Sequence, residues 1–470
     1  MIPFFPKVIA KRGIAVYLIA LSLVSFFYVG YMMKWGYILM GILWVSGFFL
    51  LTNRWSETWR VIPEKKFVQR LFWVALGIRL VWVIASYYYF NATTGIPFEF
   101  GAADSLGYHD EAQWLAGMSW SAVWEYYFSG FGVSDVGYPL YLTVLYKIFG
   151  PVIIIPRILK AFLGAYTCVL MYRLAGRTFG EETGRMVGIM GALMLNLVVY
   201  CGYHLKETEM LFLEVAFLER ADYMFRSQKT TFWNILVPTL LTASLFFFRT
   251  VLGTVAFFAL VTTIVFSNTP TMKKGWKRTI LILWGGLCLL VLSGGTILTE
   301  IESYWERKEE NVVKKRLEQT SRGNQWAQYA TGTVMAPMVF VLPFSTMVDV
   351  AGQYGQQYGQ QEKHGGNFIR NFMGFFAIMG IYEAFRRKKW RDFALIGSFV
   401  VAYLGIVSVS GFSNAERFLL PGLPCLIMIW GYGVSTLRSN TFKLLIPWCV
   451  VVVAMELAWA YFKLGSRGLF

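Results

Sequence analysis

The sequence predicts an all-α integral membrane protein, polytopic, with about thirteen transmembrane helices. Three observations carry that expectation. Of 470 residues, 56% are hydrophobic and only 15% charged, and the mean hydropathy is +0.51; an average soluble domain carries roughly 25% charged residues. Apolar runs long enough to cross about 30 Å of hydrocarbon recur along the whole chain, and they are continuous rather than alternating, which predicts helices and excludes a β-barrel. Lys and Arg concentrate in alternate short loops, as the positive-inside rule requires.

The basic start (Lys7, Lys11, Arg12) is expected to be cytoplasmic, and with no small-residue cleavage site in view the first apolar run reads as a retained span. Spans are predicted at 14–32 and 36–52, followed by an inner loop with Arg54, Arg60, Lys65, Lys66 and Arg70, so that 1–68 forms a unit of two helices and a loop. A core over 69–299 follows, with spans at 69–89, 152–174, 184–203, 208–222, 232–248, 250–268 and 279–299. It contains a long outer loop, 90–150, in which 112–128 reads as an interfacial helix and 138–149 as a juxtamembrane helix. A second outer stretch, 300–367, reads as a lid: charged and helical at 302–330, apolar and re-entrant at 334–349, and low in complexity at 353–361 (QYGQQYGQQ). Four C-terminal spans occupy 368–470, near 368–385, 393–411, 417–436 and 443–462. Arg173, Arg177 and Arg185, then Arg226 and Lys229, then Lys273 to Arg278, then Arg386 to Arg391 all fall in loops of inner parity. These cations account for the net charge of +16 by setting topology and meeting anionic lipid, so membrane lipids are expected partners and nucleic acid is not. The five cysteines (Cys168, Cys201, Cys288, Cys425, Cys449) all lie in apolar segments without metal-ligand spacing and read as packing residues.

Polar residues are informative in such a chain because hydrocarbon makes them costly. One cluster, Asp104, Tyr108, His109, Asp110 and Glu111, lies in the first outer loop, with Asp135 further on; its plain alternative is a solvated acidic loop. A second, His204, Lys206, Glu207 and Glu209, fills a very short outer turn, where ordinary turn solvation is the alternative. Arg157, Lys160, Arg249 and Arg417 sit near outer ends of spans, either snorkelling to headgroups or converging on a phosphate. Arg79 lies mid-span and is expected to face a cavity or a buried carboxylate. Carboxylates from two loops can supply a general base and a metal ligand, and cations at headgroup depth can hold a phosphate leaving group. The pattern fits a reaction on a lipid phosphate, whereas a proton-coupled transporter would place its carboxylates at mid-membrane.

Four stretches resemble the GT-C glycosyltransferases of the protein O-mannosyltransferase and lipid A aminoarabinose-transferase type: Asp104-Ser-Leu-Gly-Tyr108-His109; Gly137-Tyr138-Pro139-Leu140 through Gly150 and on to Pro156-Arg157; Leu174-Ala-Gly-Arg177-Thr-Phe179-Gly180; and Arg417-Phe-Leu-Leu-Pro421-Gly-Leu-Pro424. The resemblance covers 69–210 best. In that family a second acidic site follows the first by roughly a hundred residues, and Glu207 follows Asp104 by 103. The chain departs from the family in its two preceding spans, in an adjacent Asp110-Glu111 pair, and in Glu207 standing within Lys-Glu-Thr-Glu. The resemblance implies inverting transfer of a sugar from a polyprenyl-phosphate donor to a lipid, glycan or protein acceptor at the periplasmic face of a bacterial inner membrane. It implies Asp104 as base, with Asp110 as the alternate, and Glu207 as an acceptor-orienting or metal-binding group. Lys206, Arg157, Arg249 and Arg417 would hold the departing phosphate. A divalent metal (Mg, Mn or Zn) is a candidate cofactor, with Asp104, Glu207, His109 and His204 as candidate ligands; the plainer reading of both histidines is ordinary loop residues. A transporter or flippase of lipid-linked sugars is the alternative, and it would show inverted repeats with helices broken at the midplane.

Overall fold

The computed structural model describes residues 2–128, 136–227, 231–266, 340–350, 358–409, 416–465 and 468–469, together with Gly285 and Met338. The predicted span at 279–299, the charged stretch 302–330 and Asp135 lie outside the described residues.

The chain is an all-helical integral membrane protein. The helices are α1 (Lys7–Phe27), α2 (Trp35–Thr58), α3 (Glu64–Thr94), α4 (Ala103–Ala116), α5 (Trp120–Phe128), α6 (Gly137–Phe149), α7 (Ile154–Phe179), α8 (Glu181–Leu193), α9 (Leu195–Gly202), α10 (Glu207–Arg226), α11 (Phe232–Phe248), α12 (Thr250–Phe266), α13 (His364–Arg386), α14 (Ala394–Val409), α15 (Leu423–Thr436) and α16 (Leu445–Gly465). Among the described residues six helices are long and apolar enough to cross a membrane, around α1, α2, α3, α7, α14 and α16, and the bent pair α8–α9 makes a seventh if it counts as one span. In the loop predicted to be outer, α6 coincides with the juxtamembrane helix expected at 138–149, whereas the interfacial helix expected at 112–128 is divided between the end of α4 and α5, and the first part of α4 is an additional helix over the acidic cluster.

α11 and α12 lie on the predicted spans 232–248 and 250–268 as shorter apolar helices of 17 residues each, and α15, with 14, occupies only the second part of the predicted 417–436 span. Other predicted spans take a different form. α10 reaches about 30 Å at 1.5 Å per residue, but it carries Glu207, Glu209, Glu214, Glu219 and Asp222 and buries all five inside the bundle. α13 is likewise polar on its inner side, burying His364, Asn367, Arg370 and Asn371. These helices are held by protein on most sides, so they need less lipid-compatible surface than a lone span. Residues 340–350 are not helical; Val348 pairs with Met32 in an isolated antiparallel bridge, and the segment is buried against α13 and α16. Tyr358–Gln361, at the end of the Gln-rich tract, forms a single helical turn.

The predicted 184–203 span is broken at Met194, where α8 and α9 meet at 43°. The break frees carbonyls in the interior, where each needs a donor. Arg79 from α3 supplies them, donating to Gly191 O at 3.2 Å and Ala192 O at 3.3 Å, and Trp44 Nε1 donates to Leu193 O at 3.0 Å. Arg79 is therefore a helix-break cap, and the expectation of a cavity or a carboxylate beside it is corrected.

α1 and α2 are built into the bundle. Tyr17 OH meets His364 Nε2 of α13 at 2.8 Å, and the Ile2 N–H donates to Ser435 O at 2.7 Å. α13 and α15 cross with backbones in contact: a Cβ at Gly380 would lie 2.8 Å from Ile429 O, and one at Gly433 would overlap Phe376 O. Described cysteines are free, and Cys168, Cys201 and Cys425 are buried as packing residues.

Candidate functional site

The site forms at the end of the bundle opposite Arg177, Arg185 and Arg386. After α3 the chain returns to the bundle through Ile96-Pro97-Phe98-Glu99-Phe100, then enters α4, whose first turn carries Asp104. The turn between α9 and α10 delivers His204, Lys206 and Glu207. The short helix Glu416–Leu419 brings in Arg417.

Arg417 joins the two predicted acidic sites. Its Nη1 donates to Asp104 Oδ2 and its Nε to Glu207 Oε1. Asp104 is exposed (57% of its side chain) and Glu207 is fully buried. Burial alone would raise the Glu207 carboxyl, but Arg417, with Arg249 and Lys206 behind it, holds it below the usual carboxylate range. Burial likewise disfavours the Arg417 cation, and the two carboxylates overcome it, so Arg417 is more firmly charged than usual. Lys206 lies beside this group and donates to Phe248 O at 3.1 Å; burial, helped by the nearby Arg249, pushes its ammonium down to about 7. Arg249 packs 4.8 Å over the Phe418 ring, and its Nη1 is buried with no hydrogen-bond partner.

A cavity of about 330 Å³ opens beside Asp104 and Arg417. Tyr200, Tyr203, Phe344 and Trp459 form its aromatic walls, and Lys363, Lys463, Glu416, Asn367 and Glu99 add polar groups. Lys363 pairs with Glu416 at 3.1 Å and lies over the Tyr200 and Tyr203 rings, and Asn196 Nδ2 bonds both Asn367 Oδ1 (2.9 Å) and Glu416 Oε1 (2.5 Å). Tyr203 OH donates to Glu362 Oε2 at 2.7 Å; burial pushes the Glu362 carboxyl up to about 7.

Behind the cavity a second polar cluster ties the loops together. Glu99 accepts from Ser105 Oγ in α4 and from the His204 N–H at 3.2 Å, and lies 4.0 Å from Arg157. One carboxylate thus anchors the segments bearing both Asp104 and Glu207. Lys160 donates to the carbonyls of Tyr203 (2.9 Å) and Leu205 and lies 3.7 Å from Glu209. Tyr146 OH stands between the histidines, 2.7 Å from His109 Nδ1 and 3.2 Å from His204 Nε2. Burial lowers both imidazoles, His204 the more because Lys160 and Arg157 are near, so both are neutral at pH 7.

The structure thus brings together Asp104, Glu207 and Arg417, with Lys206 and Arg249 alongside. Arg157 is fully buried on Pro97 O and Glu99 and does not line the cavity. Asp110 is exposed on α4 next to His109 and also does not line it. The four candidate metal ligands fall into two pairs, one on Arg417 and one on Tyr146, and among the described residues no group of three or more His, Cys, Asp or Glu side chains gathers to hold a metal ion. Sequence reasoning missed Glu99, Lys363 and Glu416. Glu99 had one signal, a lone carboxylate in the apolar run Ile96-Pro97-Phe98-Glu99-Phe100.

Neither a scan of known protein families nor a search of curated proteins finds a match to this chain.

Proposed function

We propose that this protein is an inverting glycosyltransferase of the GT-C kind, with thirteen spans in a bacterial inner membrane, its N-terminus cytoplasmic and its site periplasmic. In this reading a polyprenyl-phosphate-linked sugar is the donor and a hydroxyl of a lipid, glycan or protein is the acceptor. The observation that supports it most is Arg417 joined to Asp104 and Glu207 at the mouth of an aromatic, cation-lined cavity.

Asp104 takes the proton from the acceptor hydroxyl as the oxygen attacks the anomeric carbon. The bond from that carbon to the phosphate oxygen breaks, and the polyprenyl phosphate departs with the electron pair. Arg417, which lines the cavity, stabilises the charge developing there, and Lys206 and Arg249 add positive charge from behind it. An arriving phosphate competes with Asp104 for Arg417, and as the guanidinium turns to it the Asp104 carboxylate is freed to accept from the acceptor hydroxyl. Glu207, buried and charged, keeps Arg417 in place. Arg157 and Glu99 act one layer back by fixing the loops. Asp110 is the less favoured base because it lies outside the cavity.

The second reading, a flippase of lipid-linked sugars, draws on the break between α8 and α9. In transporters such a break offers free helix ends to a substrate; here Arg79 and Trp44 occupy the freed carbonyls. The test is sugar release from a panel of polyprenyl-phosphate sugars by the purified protein in detergent. Release with an acceptor present supports transfer. Binding of the carrier without release, followed by movement of the intact donor across liposomes, would replace it with the flippase reading.

A further inference from the structure

At the basic end of the bundle, far from the candidate site, an open groove of about 850 Å³ lies between the end of α2, the Trp59–Pro63 turn and the first turns of α3. Lys66, Gln69, Arg70 and Trp73 line it from α3 at the spacing of one helix face, and Ile62 and Pro63 line it from the turn. No acidic residue lines it; the nearby Glu57 and Glu64 lie outside its walls. Among the described residues no ion pair engages Lys66 or Arg70, which are exposed.

The groove is built rather than incidental. Arg185 of α8, largely buried, donates through Nη1 to Trp59 O at 2.7 Å, Arg60 O at 3.1 Å and Ile62 O at 2.7 Å. It thereby fixes a turn whose carbonyls would otherwise be open. Trp55 and Trp59 stack with centroids 4.9 Å apart and planes 8° from parallel, and Arg70 lies 5.5 Å over the Trp59 ring. Polar donors stand at the helix start, and the exposed Trp73 follows on the same face one turn further toward the bilayer, with exposed Val61 beside the mouth. Cations at one level and an exposed aromatic ring at the next match a phosphate headgroup and the start of its acyl chains.

We propose that this groove is a binding site for an anionic phospholipid of the adjoining leaflet, its phosphate held by Lys66 and Arg70 and its glycerol and upper acyl region lying along Trp73. The site does not depend on the glycosyltransferase reading.

The full-length protein, reconstituted in nanodiscs of phosphatidylcholine with a minority of phosphatidylglycerol, would be analysed for retained lipid by native mass spectrometry. The expected result is one phosphatidylglycerol per chain in preference to phosphatidylcholine. The double variant Lys66→Gln/Arg70→Gln is expected to lose about thirtyfold in affinity, since each cation near an anionic surface contributes roughly fivefold. Lys388→Gln/Lys389→Gln, on another basic loop, is expected to keep it. Equal retention of both lipids, an undiminished affinity in the first variant, an equal loss in the second, or displacement by inorganic phosphate would each overturn the proposal.

Discussion

The two polar ends of the bundle use charge in opposite ways. At the basic end, pairs are mostly local in sequence or join neighbouring helices at ordinary distances. Arg226 meets Asp222 at 2.7 Å, Arg387 and Arg386 meet Glu383 at 2.8 and 2.7 Å, and Arg177 meets Glu219 and Asp222 at 2.8 and 2.9 Å. At the other end Arg417 reaches residues 210 and 313 positions away. Arg157 Nη1, His204 Nδ1 and Arg249 Nη1 are buried there without partners. At the basic end most charges pair with near neighbours. Polar groups assembled from distant segments and left partly unsatisfied, here in the layer behind a cavity lined by Asp104 and Arg417, cost stability and mark a functional site rather than a structural one.

That contrast can be broken by mutation. The largest effect is expected for Asp104→Asn and Arg417→Gln, each lowering sugar release by about 10²–10³-fold. Asp104 is exposed, so the asparagine variant should melt with wild type. Arg177→Ala should do the reverse: Glu219 keeps Arg220 and Asp222 keeps Arg226, but each loses its second, shared cation, at a cost of about 2 kcal/mol; its thermal midpoint should fall while release per folded molecule is unchanged. Activity loss in Arg177→Ala at full stability would erase the distinction between the two ends.

Gly41→Ala is expected to cost about 2 kcal/mol, because a Cβ there would overlap His364 Nε2 and Tyr17 OH, where α1, α2 and α13 meet. Thermal unfolding checks it, and no change would mean that α1 and α2 pack loosely. The smallest effect concerns pH. Lys206, pushed down to about 7 by burial, is cationic below that value and loses its charge as pH rises through it. Affinity for a polyprenyl phosphate should therefore fall by about tenfold from pH 6 to pH 8, and Lys206→Arg, which keeps its charge, should flatten the profile.

Sequence legibility followed the same division. Long apolar runs announced α1, α2, α3, α7, α14 and α16, because lipid-facing helices must be apolar on their own account. The form of α10 and α13 was harder to read, since their polar residues are met by other helices and hydropathy along one segment does not see those partners. The break at Met194 has no proline or glycine at its centre; its cause is visible only when Arg79 and Trp44 are seen on the freed carbonyls. Asp104, Glu207 and Arg417 were picked out by motif order and spacing. Glu99, Lys363 and Glu416 lie in no motif, and their roles arise from tertiary packing around the cavity.

The most direct test is a single-turnover measurement of sugar release from one accepted polyprenyl-phosphate donor by wild type and Asp104→Asn, with donor binding measured in both. Release reduced about a thousandfold with donor affinity kept is the expected result, and it would place the base at Asp104. Undiminished release by Asp104→Asn would contradict the proposed mechanism at its centre.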